Sequence, residues 1–308
     1  MRLKSTLANE KTGLATTALL LAAIIWLFFI LKGNIEELKY ASISYNYYRI
    51  LAAVPLAALT VYASAITFYV ILSETSATKP PFFRTFLPYL NAQIVRYLPG
   101  KFWGVIYQAK KMEQSAPAHA IWETNIIQLI IGNILSALAA LWVILRYNGL
   151  VMASYILLAS CLLIFYLMLH IQLVQKITRT VLSALFKNTR TQKVLPNKRK
   201  PILIISSLSM EWIIYFSCWI VILYPIQSLG NVLNLSIVYA ASWALGFMVF
   251  FIPAGAVIRE SIFISLGSLI MGMDVGTLGF IAIIARSVFS MADILAPTIA
   301  HVALKKYI

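Results

Sequence analysis

Charge is scarce in this sequence, and acid is scarcer than base. Only 11% of the 308 residues are charged, with 10 acidic residues against 25 basic ones, whereas about one quarter of a soluble domain is charged. That shortage excludes an ordinary soluble domain. Cysteine is nearly missing too: Cys161 and Cys218 both lie inside apolar segments, which reads as packing and leaves no disulfide framework. The three histidines, His119, His170 and His301, stand near the ends of apolar runs. No His/Cys/carboxylate cluster has metal-ligand spacing, and no glycine-rich loop resembles a phosphate cradle. Neither metal nor cofactor is therefore expected. No nucleophile–base set is legible either, so the expectation is a protein that is not an enzyme.

What is present is hydrophobic sequence, 61% of the residues, with a mean hydropathy of +0.85. The formal charge of +15 would suggest nucleic acid in a soluble protein. In an apolar chain it reads as cytoplasmic loops rich in Lys and Arg, with contact to anionic lipid headgroups as a second contribution; no nucleic acid partner is expected. Apolar runs at about 14–31, 50–72, 119–145, 150–171, 201–224 and 276–303 predict six spanning helices, each near the 20 residues a bilayer requires. The first run is too long for a signal-peptide core and lacks a small-residue cleavage site, so it is read as a retained span.

Two further apolar stretches are broken. The first is split at Arg96-Tyr97-Leu98-Pro99-Gly100-Lys101-Phe102-Trp103-Gly104, between arms at 85–97 and 101–112. An arm of this size makes roughly 20 Å of helix, too short for a hydrocarbon core about 30 Å thick. A re-entrant hairpin follows. The second is split at Pro253-Ala254-Gly255-Ala256-Val257-Ile258-Arg259-Glu260, between runs at 235–252 and 256–272; it reads either as a deeper re-entrant pair or as two thin crossings. The segment 172–200, with eight basic residues and no acid, sets the cytoplasmic side. Counting from it places both termini inside and makes the two hairpins open to opposite faces. The expectation is thus an all-α polytopic membrane protein, one transmembrane domain over 1–308. Six spans and two broken hairpins form an inverted repeat, with halves of about 1–145 and 150–308.

Broken helices in both halves are the best sequence pointer to a transport site. A cation at membrane depth is costly and faces a cavity or a partner, so Arg96, Lys101 and Arg259 are candidates for holding a headgroup phosphate; the plainer alternative is snorkelling, or pairing of Arg96 and Lys101 with Glu113 or Glu123. Glu260 is read as a gating or proton-coupling carboxylate, or as a structural tie. Pro99, Gly100, Pro253 and Gly255 are the structural breaks. Glu123, Glu211 and Asp293 are isolated carboxylates with structural or gating roles, Glu123 suiting the start of a span and Glu211 a plausible interhelical partner for Arg286.

The two broken motifs, with Arg286 in the last span, resemble those of the transmembrane region of lysylphosphatidylglycerol synthases, the flippase-like half of those bifunctional proteins, and of its stand-alone relatives. Arg286 matches a recurrent arginine of that family, and with Glu260 it joins Arg96, Lys101 and Arg259 as the expected substrate-binding residues. The sequence holds no soluble aminoacyl-transferase domain, so lysine transfer is not implied. The resemblance implies translocation of an anionic phospholipid or a polyprenyl-phosphate-linked glycolipid across a bacterial inner membrane. The alternative is a non-transporting membrane partner of a glycosyltransferase or lipid-modifying enzyme. Homo-oligomerisation is left open.

Overall fold

The computed structural model describes residues 46–76, 79–95, 102–153, 155–156, 159, 201–224, 226–248 and 257–304. In hydrocarbon every backbone polar group must be satisfied within its own segment, and the described apolar runs are accordingly helical. They form α1 (Tyr47–Thr75), α2 (Phe82–Val95), α3 (Trp103–Lys111), α4 (Ala118–Tyr147), α5 (Pro201–Leu223), α6 (Leu229–Met248), α7 (Ile258–Met271) and α8 (Val275–Leu304). The protein is an all-α polytopic membrane protein, and five of the described helices are long and apolar enough to cross a bilayer: α1, α4, α5, α6 and α8. The expected first span at 14–31, most of the span at 150–171 and the basic segment 172–200 lie outside the described residues, as do Arg96, Pro99, Gly100, Lys101, Pro253 and Gly255.

The main contacts of the hairpin helices survive exchange of α1–α4 with α5–α8, whereas those of α1 with α4 and α8 have no comparable counterpart in α5. Helices α2 and α3 pack on each other, as do α6 and α7. The first arm of each hairpin packs on the span before it, α2 on α1 and α6 on α5; the second arm packs on the span after it, α3 on α4 and α7 on α8. Crosswise, α2 meets α8 and α6 meets α4. Helices α1 and α5 share the most extensive contact, and α1 also lies against α4 and α8, which places it at the centre. Its alanines make this possible. Ala53, Ala57, Ala58, Ala63 and Ala65 are all buried, and small side chains let helices approach closely in lipid. Cys218 of α5 comes close enough to place Sγ 3.5 Å from the Ala53 carbonyl oxygen, in keeping with a packing role.

Both hairpins also close on a glycine. A Cβ on Gly104 of α3 would stand 3.3 Å from the Ala92 carbonyl oxygen of α2, and one on Gly246 of α6 would stand 3.3 Å from Cβ of Arg259 on α7. The arms differ in length. Helix α2 has 14 residues and α3 has 9, both too short to cross a core of about 30 Å. Helix α6 has 20 residues, enough for about 30 Å, and α7 has 14. Over its described residues the second hairpin thus combines one crossing-length arm with one short arm. The extra length comes from residues 229–234, which their polarity marked as loop. Ser228 caps the helix instead, its Oγ accepting from the Asn231 N–H at 3.3 Å, a common N-cap arrangement.

Candidate functional site: an ionic cluster at the start of α7

Helix α7 opens on Val257, whose φ of 68° and ψ of −45° lie where a β-branched residue is strained. No side chain caps this end. The two residues that follow Ile258 are charged and buried, Arg259 and Glu260 each about 7% exposed. Arg259 Nη2 donates to Glu260 Oε1 at 3.2 Å. From α8, Nη1 of Arg286 lies 3.6 Å from that same Oε1. Among the described residues, Glu260 Oε2 and the Ser261 hydroxyl are buried without a hydrogen-bond partner. Two guanidinium groups therefore converge on one oxygen of one carboxylate, and the charges of these three side chains sum to +1.

Arg259 is held from below as well. Its guanidinium carbon lies 4.9 Å from the centre of the Tyr239 ring of α6, within the range of a cation–π contact. That ring belongs to an aromatic floor with Trp219, Phe263 and Phe289, whose centroids lie 5.0 to 6.5 Å apart. Gly246 lets α6 approach the Arg259 backbone. A buried cation on this floor is stabilised by the ring faces on one side and the carboxylate on the other. Arg286 differs in access: a quarter of its side chain is exposed, against 8% for Arg259.

The cluster brings together Arg259, Glu260 and Arg286. Adjacent helical side chains diverge by about 100°, which left a pair between Arg259 and Glu260 optional in the sequence; the structure forms it at 3.2 Å. The expected pairing of Glu211 with Arg286 gives way to other partners. Arg286 turns to Glu260, while Glu211 of α5 accepts from Thr67 Oγ1 of α1 at 3.2 Å, which ties it to the α1–α5 contact. Asp293 is buried on α8, seven residues beyond Arg286, or about 10 Å along the axis. Glu123 is also buried, but it stands in the second turn of α4, whose first turn holds no acid. The helix-dipole role expected of it weakens accordingly, since that effect fades within one turn.

A second polar group, absent from the sequence expectations, joins the first hairpin to the central helix. Gln128 Nε2 donates to the Ser64 carbonyl oxygen at 3.1 Å and to Tyr89 OH at 3.2 Å, and Ser64 Oγ lies 3.0 Å from Tyr89 OH. Asn125, one turn before Gln128, donates to Gln108 Oε1 of α3 at 2.7 Å. The signal available was the i, i+3 spacing of Asn125 and Gln128 inside an apolar span. Tyr239 offered no signal beyond being an aromatic residue among many.

Fold and cluster together define a class: a helical membrane protein with broken hairpins and charged groups held in its interior. The family description "Lysylphosphatidylglycerol synthase TM region" matches residues 14–292, and the chain belongs to that family. The match takes in Arg259, Glu260 and Arg286 and stops just before Asp293. No curated protein matches the chain significantly. Among the described residues no group of three or more His, Cys, Asp or Glu side chains could hold a metal.

Proposed function

We propose that the protein is a lipid translocase of the bacterial inner membrane, with both termini cytoplasmic. It moves an anionic phospholipid or a polyprenyl-phosphate-linked glycolipid between leaflets without chemical change. The observation that carries this reading is the Arg259–Glu260–Arg286 cluster, in which a second, more accessible arginine joins a buried arginine–glutamate pair. Ionisable groups inside a membrane are expensive and mark substrate paths, and a guanidinium fork suits a phosphate. In this reading the headgroup reaches Arg286 first, because it is the more accessible arginine, while the acyl or prenyl chains stay in lipid. Arg96 and Lys101 complete the path from the opposite hairpin, in the inverted-repeat arrangement that transporters use.

The test is reconstitution. Proteoliposomes carrying labelled phosphatidylglycerol, or a labelled polyprenyl phosphate, should exchange it between leaflets. Arg286→Gln should slow that exchange by more than tenfold while the protein still folds, and Lys101→Gln with Arg259→Gln should abolish it. Wild-type protein that moves neither lipid yet co-purifies stably with a glycosyltransferase or a lipid-modifying enzyme would replace this reading with that of a non-transporting partner.

A further inference from the structure

We infer that Glu260 is a built-in competitor for the anion that Arg286 binds, and that it sets how much negative charge the site tolerates. The inference rests on the translocase reading for the identity of the anion, a lipid phosphate, and on the geometry of the cluster for everything else.

Three features carry it. The first is the unequal grip on the carboxylate. Arg259 approaches Oε1 to 3.2 Å, a hydrogen bond, whereas Arg286 stops at 3.6 Å, close enough for attraction but too far for one. Both use the same oxygen, and among the described residues Oε2 is buried without a partner. A carboxylate that paired optimally with a guanidinium would use both oxygens in a bidentate fork. The Arg286 contact is therefore the weaker one and the first to yield. The second feature is access. Arg259 sits against the Tyr239 ring and is nearly enclosed, while Arg286 keeps a quarter of its side chain exposed. An incoming phosphate meets Arg286, offers it two oxygens, and displaces Glu260 from it; Glu260 remains with Arg259. The third is charge. With Glu260 ionised the three groups sum to +1. A singly charged phosphodiester neutralises that sum, and a doubly charged phosphomonoester overshoots it.

Coulomb repulsion from Glu260 scales with the charge on the ligand. Removing the carboxylate charge should thus help a dianion twice as much in free energy as a monoanion. If Glu260→Gln tightens a monoanion by some factor, it should tighten a dianion by about the square of that factor. For charges a few ångströms apart in a partly screened site the first factor is on the order of tenfold.

The experiment is a binding measurement on the full chain in nanodiscs of neutral lipid. Phosphatidylglycerol serves as the monoanion and phosphatidic acid as the dianion, at about pH 9, well above a second phosphate pKa of about 6. Glu260→Gln should bind phosphatidylglycerol roughly tenfold more tightly and phosphatidic acid roughly a hundredfold, and Arg286→Gln in the same background should remove both gains. Unchanged or weaker binding by Glu260→Gln overturns the inference, and so does an equal gain for the two lipids. Should Glu260→Gln fail to fold, Glu260→Asp keeps the charge on Arg259 but retracts it from Arg286 by one methylene. It should then tighten phosphatidylglycerol by a smaller factor, and no gain overturns the inference equally. Failure of the translocase reading looks different: wild-type protein would bind these lipids with the stated dependence on Glu260 and leave them in their own leaflet.

Discussion

The two broken hairpins are built alike, and their described arms are filled differently. Each closes on a glycine, Gly104 in the first and Gly246 in the second, and each packs on the last span of the other half. The described arms of the first hold neutral partners, with Gln108 bonded to Asn125 and Asn91 to Tyr107. The second holds an arginine–glutamate pair, which Arg286 of α8 joins. Neutral hydrogen bonds contribute about 1 kcal/mol each and respond little to outside charge. A buried ion pair carries a larger stake, since losing one partner leaves the other charge uncompensated. Among the described residues, then, the first hairpin's polar groups fix position, and the second's can trade a partner for an incoming anion.

The comparison can be broken most directly at its charged side. Arg259→Gln should destabilise the protein by about 3 kcal/mol or more, seen as a large drop in the thermal unfolding midpoint in detergent; a drop no larger than that of a neutral hydrogen-bond deletion would erase the contrast. Next come the glycines. Gly104→Ala forces a new methyl against the Ala92 carbonyl oxygen and Gly246→Ala forces one against Cβ of Arg259, and each should cost about 1 to 2 kcal/mol as overpacking. Equal costs would establish that the hairpins close equivalently, whereas a silent Gly104→Ala would mark the first as the looser. On the neutral side, Gln128→Leu should cost about 1 kcal/mol, with no change in the salt dependence of lipid binding, because Ser64 and Tyr89 still bond each other. The smallest effect has the opposite sign. Val257→Gly should relieve the positive φ and raise stability by about 1 kcal/mol, since such strain costs on the order of 1–3 kcal/mol and glycine gives back part of the gain in chain entropy.

Much of the architecture was legible. The expected spans at 50–72, 119–145, 201–224 and 276–303 appear as α1, α4, α5 and α8 with ends shifted by at most a few residues. The first hairpin's short arms likewise appear as α2 and α3. Helix α6 was read six residues too short because Asn231 and Asn234 look like loop residues until Ser228 is seen capping the helix. The candidate site was legible as a set of residues but not as a set of pairs. Arg259, Glu260 and Arg286 stand out as charges in apolar sequence. Nothing in their spacing says that Arg286 faces Glu260 while Glu211 faces Thr67.

That division has a physical origin. Membrane crossing imposes a requirement along the chain itself, a run of apolar residues long enough for the hydrocarbon thickness, so the approximate places of the long helices α1, α4, α5 and α8 were set by sequence alone. Which charge meets which depends on how each helix is rotated about its axis and how closely its neighbours approach. Those quantities come from the packing of small residues such as Ala53 and Gly246 against distant segments, and only the assembled bundle brings two arginines to one oxygen of Glu260.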